Sequence, residues 1–208
     1  MTRPVDQDEW DQLYAERRWS GDPNGALVAE AADLAPGRAL DVGCGEGADA
    51  VWLAQRGWRV TALDPSRVAL DRAAEVAAAA GVEVELVHAG LLEAALGAYD
   101  LVSAQYPALK RTPDHAAERA LLGAVAPGGT LLFVHHLLDD ASRHRSSDHG
   151  FDPDDYVQPP GLRDLLADGW DVAYDDRRAR HVRGGAGAGH SFDVVLRATR
   201  RVGAQTTG

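Results

Sequence analysis

The sequence predicts an α/β protein in which helices cover both faces of a mostly parallel sheet, a three-layer αβα sandwich. Three observations carry this. From Ala39 onward, short runs of β-forming residues alternate with alanine-rich helical stretches, the pattern made when crossover helices join parallel strands. Glycine stands just past two of the helical stretches, at Gly57 and Gly81, where a helix end favours it. A glycine-rich turn, Gly43-Cys44-Gly45-Glu46-Gly47-Ala48, falls between the first expected strand and the first crossover helix.

The elements follow in order. Trp10, Leu13 and Tyr14 have helical spacing and predict an amphipathic entry helix, stopped by the turn formers Ser20-Gly21-Asp22-Pro23-Asn24-Gly25. A second helix over 26–34 has Leu27, Ala31 and Leu34 on its apolar face and ends at Pro36-Gly37. Strands are expected at 38–42, 59–63, 84–87, 99–103 and 130–135, with crossover helices at 48–56, 65–80 and 112–125. The third crossover is expected to open with Pro113 in its first position, where a missing N–H costs nothing, and to close at Pro127-Gly128-Gly129. The polar stretch 139–155 lacks apolar periodicity and reads as a surface loop. A short helix at 162–167 and strands at 170–174 and 192–198 complete the chain. The flexible Gly184-Gly185-Ala186-Gly187-Ala188-Gly189 joins these two strands without a helix, so they should pair antiparallel.

The 208 residues suit one domain over 1–208, and 45% hydrophobic content supplies one sizeable core. No run of about 18 apolar residues exists to cross a bilayer. The start turns acidic without an apolar signal core, and the one cysteine, Cys44, suits a reducing compartment, so a cytoplasmic location without a membrane is expected. A net charge of -11 disfavours a nucleic-acid partner, whose phosphates draw on clustered Lys and Arg. Composition leaves the oligomeric state open.

Glycines alone do not decide the ligand of the turn. Gly43-Cys44-Gly45-Glu46-Gly47-Ala48 also fits a dinucleotide fingerprint with alanine in third place, and Asp64 lies about 20 residues on. Charge separates the readings: Asp41 and Glu46 bracket the turn and should repel pyrophosphate, while a ligand carrying ammonium and sulfonium would be favoured. No Gly-Lys-Ser/Thr ending follows, so a triphosphate-binding loop is disfavoured. Asp64 stands where a carboxylate can accept both hydroxyls of a ribose, or where it can cap the next helix.

These residues resemble the class I S-adenosylmethionine-dependent methyltransferases, a Rossmann-like fold. Leu40-Asp41-Val42-Gly43-Cys44-Gly45-Glu46-Gly47 is similar to the family's first motif, Val60-Thr61-Ala62-Leu63-Asp64-Pro65-Ser66 to its ribose strand, Tyr99-Asp100-Leu101-Val102-Ser103-Ala104-Gln105-Tyr106 to its fourth strand, and Ala126-Pro127-Gly128-Gly129-Thr130 to the turn before the fifth. The resemblance implies seven strands with the last antiparallel, S-adenosyl-L-methionine as cofactor, and cofactor contacts from Asp41, Gly43, Gly45, Asp64, Pro65 and Gln105. Relatives usually carry an acid after the third strand that meets adenine; His88-Ala89-Gly90-Leu91 has glycine there, so backbone groups of Gly90 and Leu91 are expected to serve instead. Trp10, Tyr14 and Trp19-Ser20-Gly21 resemble the start of the small-molecule enzymes near the tellurite-resistance and thiopurine methyltransferases. This implies that helices within about residues 1–35 cover the cofactor, with Trp19 among its contacts.

The expected chemistry is in-line methyl transfer to N, O or S of a small molecule, driven mainly by proximity and orientation. A base of pKa near 7 helps if the acceptor must lose a proton. Ligands in such sheets bind beyond the carboxyl ends of the strands, which makes Tyr106, His135 and His136 the catalytic candidates, although strand alternation sends the two histidines to opposite faces. His135, His136, Asp139, Asp140, His144 and His149 are residue types that bind divalent metals, yet their spacing matches no zinc signature, and no metal is expected. Two rival readings are a catalytically silent cofactor-binding partner subunit and a nicotinamide-dependent oxidoreductase.

Overall fold

The computed structural model describes residues 7–16, 21–138, 152–180 and 190–203. Its helices are α1 (Gln7–Glu16), α2 (Gly25–Ala31), α3 (Ala48–Ala54), α4 (Arg67–Ala80), α5 (Ala116–Gly123) and α6 (Pro159–Asp164), with a short 3-10 turn at Pro153–Asp155. Its strands are β1 (Arg38–Val42), β2 (Arg59–Asp64), β3 (Glu85–His88), β4 (Tyr99–Gln105), β5 (Val125–His136), β6 (Trp170–Ala179) and β7 (Phe192–Arg200). They form one sheet in the order β3-β2-β1-β4-β5-β7-β6, in which β7 alone runs antiparallel to its neighbours. The class I methyltransferase architecture is thereby met strand for strand.

Strand order reverses between β1 and β4, because the chain first winds outward through β2 and β3 and then returns to the other side of β1. That switch point leaves a crevice at the carboxyl ends of the two strands. Asp41 and Ser103 are register partners there. On one face of the sheet, α2 and α3 pack Leu27, Trp52 and Leu53 with Leu101, Leu132 and Val134; on the other, α5 and α6 pack Leu121 and Leu162 with Leu131 and Phe133. Near-continuous burial of β1, β2 and β4 follows from helices on both faces.

α4 shows how local signals set an end. Ser66 accepts from the Ala69 N–H, and Gly81 closes the helix in the left-handed region. Ser66 Oγ also donates to Asp11 at 2.6 Å, and Asp11 accepts from the Val68 N–H at 3.0 Å, so one carboxylate of α1 docks that helix on the start of α4. Burial opposes the charge of Asp11, but the hydrogen bonds from Ser66, Val68 and Arg67 overcome it and hold the carboxyl below its ordinary range.

Several boundaries depart from expectation: β6 runs on to Ala179, α2 ends already at Ala31, and three further cases have a local cause. α5 begins at Ala116, not Pro113, because Thr112 and Asp114 make their own side-chain turn and His115 takes a left-handed φ of 53° as the cap. β5 begins at Val125, so Pro127-Gly128-Gly129 is an irregularity inside strand pairing instead of a helix stop. A Cβ at Gly129 would lie 2.7 Å from the Tyr99 carbonyl oxygen, which is why the β4–β5 contact needs glycine there. α6 starts three residues before the apolar run, since Pro159 and Pro160 suit a helix's first turn. The glycine-rich 184–189 and all but the last four residues of the 139–155 loop fall outside the described residues.

Candidate active site

The glycine turn is a backbone bend held from behind by β2. Gly43, Gly45 and Gly47 have φ of 70°, 53° and 83°, the left-handed region that favours glycine. The N–H groups of Gly43 and Cys44 both donate to the Leu63 carbonyl, at 2.8 and 3.0 Å. Asp64 accepts from the Gly45 N–H at 2.9 Å through one oxygen and from the Ser66 N–H at 2.8 Å through the other. This carboxylate therefore clamps the bend to the start of α4. A carboxylate has about four acceptor positions, so each oxygen retains capacity for a further donor. Burial pushes the Asp64 pKa up to about 6 against the pull of those two N–H groups.

Tyr14 of α1 lies over this bend, where a Cβ on Gly45 would stand 2.9 Å from its hydroxyl. On the opposite side, a Cβ on Gly47 would meet Ala73 of α4 at 2.8 Å. The Pro65 carbonyl is 3.0 Å from His88 Nε2, tying the ends of β2 and β3. The Leu91 side chain belongs to the core, and Glu93 occupies the space that a side chain at Gly90 would need. Trp19 lies outside the described residues.

Glu46 does not face the crevice as a bare carboxylate: it is bound to Arg72 of α4 at 2.7 Å, with both side chains largely buried. The negative character of the site comes instead from three buried carboxyls, Asp41, Asp49 and Asp64. Asp49, in the first turn of α3, accepts from the Asn24 N–H at 2.7 Å and from Asn24 Nδ2 at 2.8 Å, which fixes the entry to α2. Sequence reasoning missed it because its partner is 25 residues away. Burial, with the charges of Asp49 and Asp64 alongside, holds Asp41 well above the ordinary carboxylate range.

Asp41 Oδ2 and Gln105 Oε1 are buried with no hydrogen-bond partner among the described residues. They stand at the end of adjacent strands: Asp41 is in register with Ser103, and Gln105 Nε2 donates to Ser103 Oγ at 3.1 Å. Leaving a buried acceptor unmet costs about 1–3 kcal/mol, more when it is charged. Two such acceptors, backed by further carboxyls, fit a cationic donor and disfavour a phosphate. The residues present thus fit the ammonium of S-adenosylmethionine, which Asp41 and Gln105 could accept beside the bend at Gly43 and Gly45.

The same sheet face continues into a second polar group. Tyr106, just after β4, has a φ of 54° and donates its hydroxyl hydrogen to Asp193 Oδ2 at 2.7 Å. Arg180 Nε donates to the Tyr106 hydroxyl at 3.0 Å and lies 3.4 Å from Asp193. His136 Nδ1 is 3.1 Å from Asp193 Oδ1, and its ring stacks on Tyr106 and on His190, both at 4.1 Å between centroids. Burial, then the charge of Asp193, raises the Tyr106 phenol beyond its usual range, so this hydroxyl keeps its proton and acts as a donor. His135 points to the other face, against Phe133. The structure therefore brings Tyr106, His136 and Gln105 to one face and leaves His135 apart. Asp193, Arg180 and His190 were not foreseen from sequence: Asp193 lies on β7, Arg180 just after β6 and His190 just before β7, a part of the chain that carried no motif.

Among the described residues no group of three His, Cys, Asp or Glu side chains is placed to hold a metal. None of their helices is long and apolar enough to cross a membrane.

Residues 39–129 match a family described as "Methyltransferase domain". The ribosomal RNA small subunit methyltransferase C of Alcanivorax borkumensis is 33% identical over 122 residues, covering 52% of this chain and 37% of that protein. The ubiquinone biosynthesis O-methyltransferase of Escherichia coli is 35% identical over 113 residues, covering 52% of this chain and 47% of that protein. The chain thus spans less than half the length of either relative. A protein solved in work on conversion of a disulfide bond into a thioacetal group during echinomycin biosynthesis superposes with a TM-score of 0.70 at 26% identity, covering 96% of this chain and 94% of that one.

Proposed function

We propose that this chain, a class I S-adenosylmethionine-dependent methyltransferase, transfers the methyl group to N, O or S of a small molecule by in-line displacement. The observation that carries the proposal is a line of polar groups along one sheet face. It runs from Asp41 on β1 through Ser103 and Gln105 on β4 to Tyr106, His136 and Asp193 beyond it. The first part suits a cationic amino acid and the last part offers an acceptor hydrogen-bonding and stacking groups. When bound, the cofactor supplies a methyl carbon already activated by sulfonium, so the protein's task is to hold and orient.

In this reading Asp41 and Gln105 take the ammonium, and the flat backbone at Gly43 and Gly45 admits the cofactor's body. Asp64, with Pro65 behind it, faces the ribose through its remaining acceptor positions, and the backbone at Gly90 and Leu91 lies beside the adenine. α1, held by Asp11 and carrying Tyr14 over the bend, covers the cofactor together with the rest of residues 1–35, Trp19 included. Residues 1–208 act as one domain. Among the catalytic candidates, His136 and Tyr106 share the cofactor's face, and His135 serves at most indirectly.

A small neutral or cationic acceptor is favoured over nucleic acid by the net charge of -11. The match to an enzyme named for ribosomal RNA supports a second reading, methylation of RNA. Incubating the protein with S-adenosylmethionine and a panel of phenol, amine, heteroarene, thiol and metalloid acceptors, with small ribosomal subunits as a separate arm, tests both. S-adenosylhomocysteine formed with a small acceptor is the expected result; product from the ribosomal arm alone would replace it by the RNA reading. Cofactor binding without product in any arm would support a silent partner subunit, and binding of NAD without S-adenosylmethionine would support an oxidoreductase.

A further inference from the structure

We infer that Asp193 is a positioning residue that turns His136 into the general base for the acceptor, an inference that rests on the proposed methyl transfer. Asp193 and His136 are register partners on antiparallel β7 and β5, so their side chains share a face by construction. The carboxylate is an acceptor only. A ring nitrogen 3.1 Å from it must therefore carry the hydrogen, which puts the proton of the neutral ring on Nδ1 and the lone pair on Nε2.

The rest of the cluster keeps that arrangement from relaxing. Tyr106 and Arg180 occupy Asp193 Oδ2, at 2.7 and 3.4 Å, and so leave Oδ1 for His136. Tyr106 and His190 sandwich the imidazole at 4.1 Å on either side, which prevents the ring from flipping. Among the described residues, the ionisable groups around His136 include Asp193 on β7, Tyr106 after β4, Arg180 after β6 and His190 before β7, with His135 on the opposite face. The Asp193 side chain is 5% exposed, whereas His136 keeps 18% of its side-chain surface, so the anion is sheltered and the base is reachable. This lies at the carboxyl end of β5, two residues beyond Val134, the register partner of Gln105.

In the step itself the acceptor's O–H, S–H or N–H proton passes to Nε2 as the acceptor's lone pair forms a bond to the methyl carbon. The carbon–sulfur bond breaks and its electrons stay on sulfur. The imidazolium formed is balanced by Asp193, and it later loses the proton to water. No other co-reactant is needed.

Isotope-edited NMR of the histidine rings reads the tautomer directly in the wild-type protein, with His136→Gln identifying the signal. The expected result is a neutral ring protonated on Nδ1, whose titration midpoint falls by about one pH unit or more in Asp193→Asn as the stabilising anion is lost. In turnover, Asp193→Asn should lower kcat roughly ten- to a hundredfold with the cofactor KM within about twofold, and move the acidic limb of kcat/KM to lower pH. His136→Gln should abolish that limb. Asp193→Glu, which keeps the anion, should recover part of the titration shift. A ring protonated on Nε2, a midpoint unmoved in Asp193→Asn, or an acidic limb surviving in His136→Gln would overturn the assignment. Calorimetry on the same samples separates the two failures. Intact cofactor binding with the reversed tautomer overturns the Asp193–His136 pair and leaves methyl transfer standing. The expected tautomer in a protein that binds no S-adenosylmethionine overturns the proposed function, and the catalytic assignment with it.

Discussion

The two ends of the polar line are built in opposite ways. At the glycine bend the important bonds run between carboxylates and backbone N–H groups, as from Gly45 and Ser66 to Asp64, with partners 19 and 2 residues away. At the far end they run between side chains, and the partners are 57, 74 and 87 residues apart. A backbone bend tolerates almost any traffic at its surface but no added Cβ. A side-chain network tolerates backbone change but not the loss of its central anion. Affinity for the cofactor should therefore reside at the first end and the choice of acceptor at the second.

Removing the anion should break the second end most severely. Asp193→Ala leaves Arg180, Tyr106 and His136 without their shared acceptor in a buried setting, and a destabilisation of roughly 3–5 kcal/mol is expected by chemical denaturation. The corresponding injury to the first end is steric. Gly47→Val drives a side chain into Ala73 at a φ of 83°, and should cost about 2–4 kcal/mol in the same measurement. A loss below 1 kcal/mol in either variant would show that its end is looser than drawn.

The next prediction concerns binding alone. Asp41→Asn replaces a carboxyl that a bound ammonium would ionise, and whose Oδ2 has no partner among the described residues, by a neutral amide, so S-adenosylmethionine should bind roughly ten- to a hundredfold more weakly by calorimetry, with little loss of stability. A related test uses pH. The Asp64 pKa is raised to about 6, above its unfolded value of about 3.9, so the folded apo protein takes up a proton in that window and its contribution to stability falls as pH rises from about 4 to 6. Ribose hydroxyls reverse the preference, since they donate to the ionised carboxylate. Cofactor affinity should accordingly drop by roughly tenfold from pH 7 to pH 5. The smallest effect on binding belongs to Glu46→Gln: it leaves the largely buried Arg72 without its anion, which should cost roughly 3 kcal/mol of stability, yet cofactor affinity should stay within about twofold.

Much of the first end could be read from the chain. Three glycines at alternate positions between a strand and a helix demand a left-handed bend, and an aspartate at the tip of the next strand follows at fixed spacing. Glu46 was the exception: its partner Arg72 is one of two arginines on α4, and nothing in the sequence says which of them turns toward the bend. The second end was half visible. Tyr106 and His136 stood out by lying at strand ends, but Asp193 sits in a strand whose alternating pattern speaks only of burial, and Arg180 lies just past one.

Alternation of apolar residues, glycine after helices and the spacing of the first two strands were enough to set the strand order's beginning, the face each strand buries and the bend itself, because these depend on neighbours within one turn or one hairpin. Which histidine joins an aspartate, which carboxylate is neutralised and which is left facing the crevice depended on strands far apart in sequence being laid side by side. Only the assembled sheet, with β7 returning between β5 and β6, put Asp193 opposite His136 and left Asp41 beside Gln105 with an oxygen unmet.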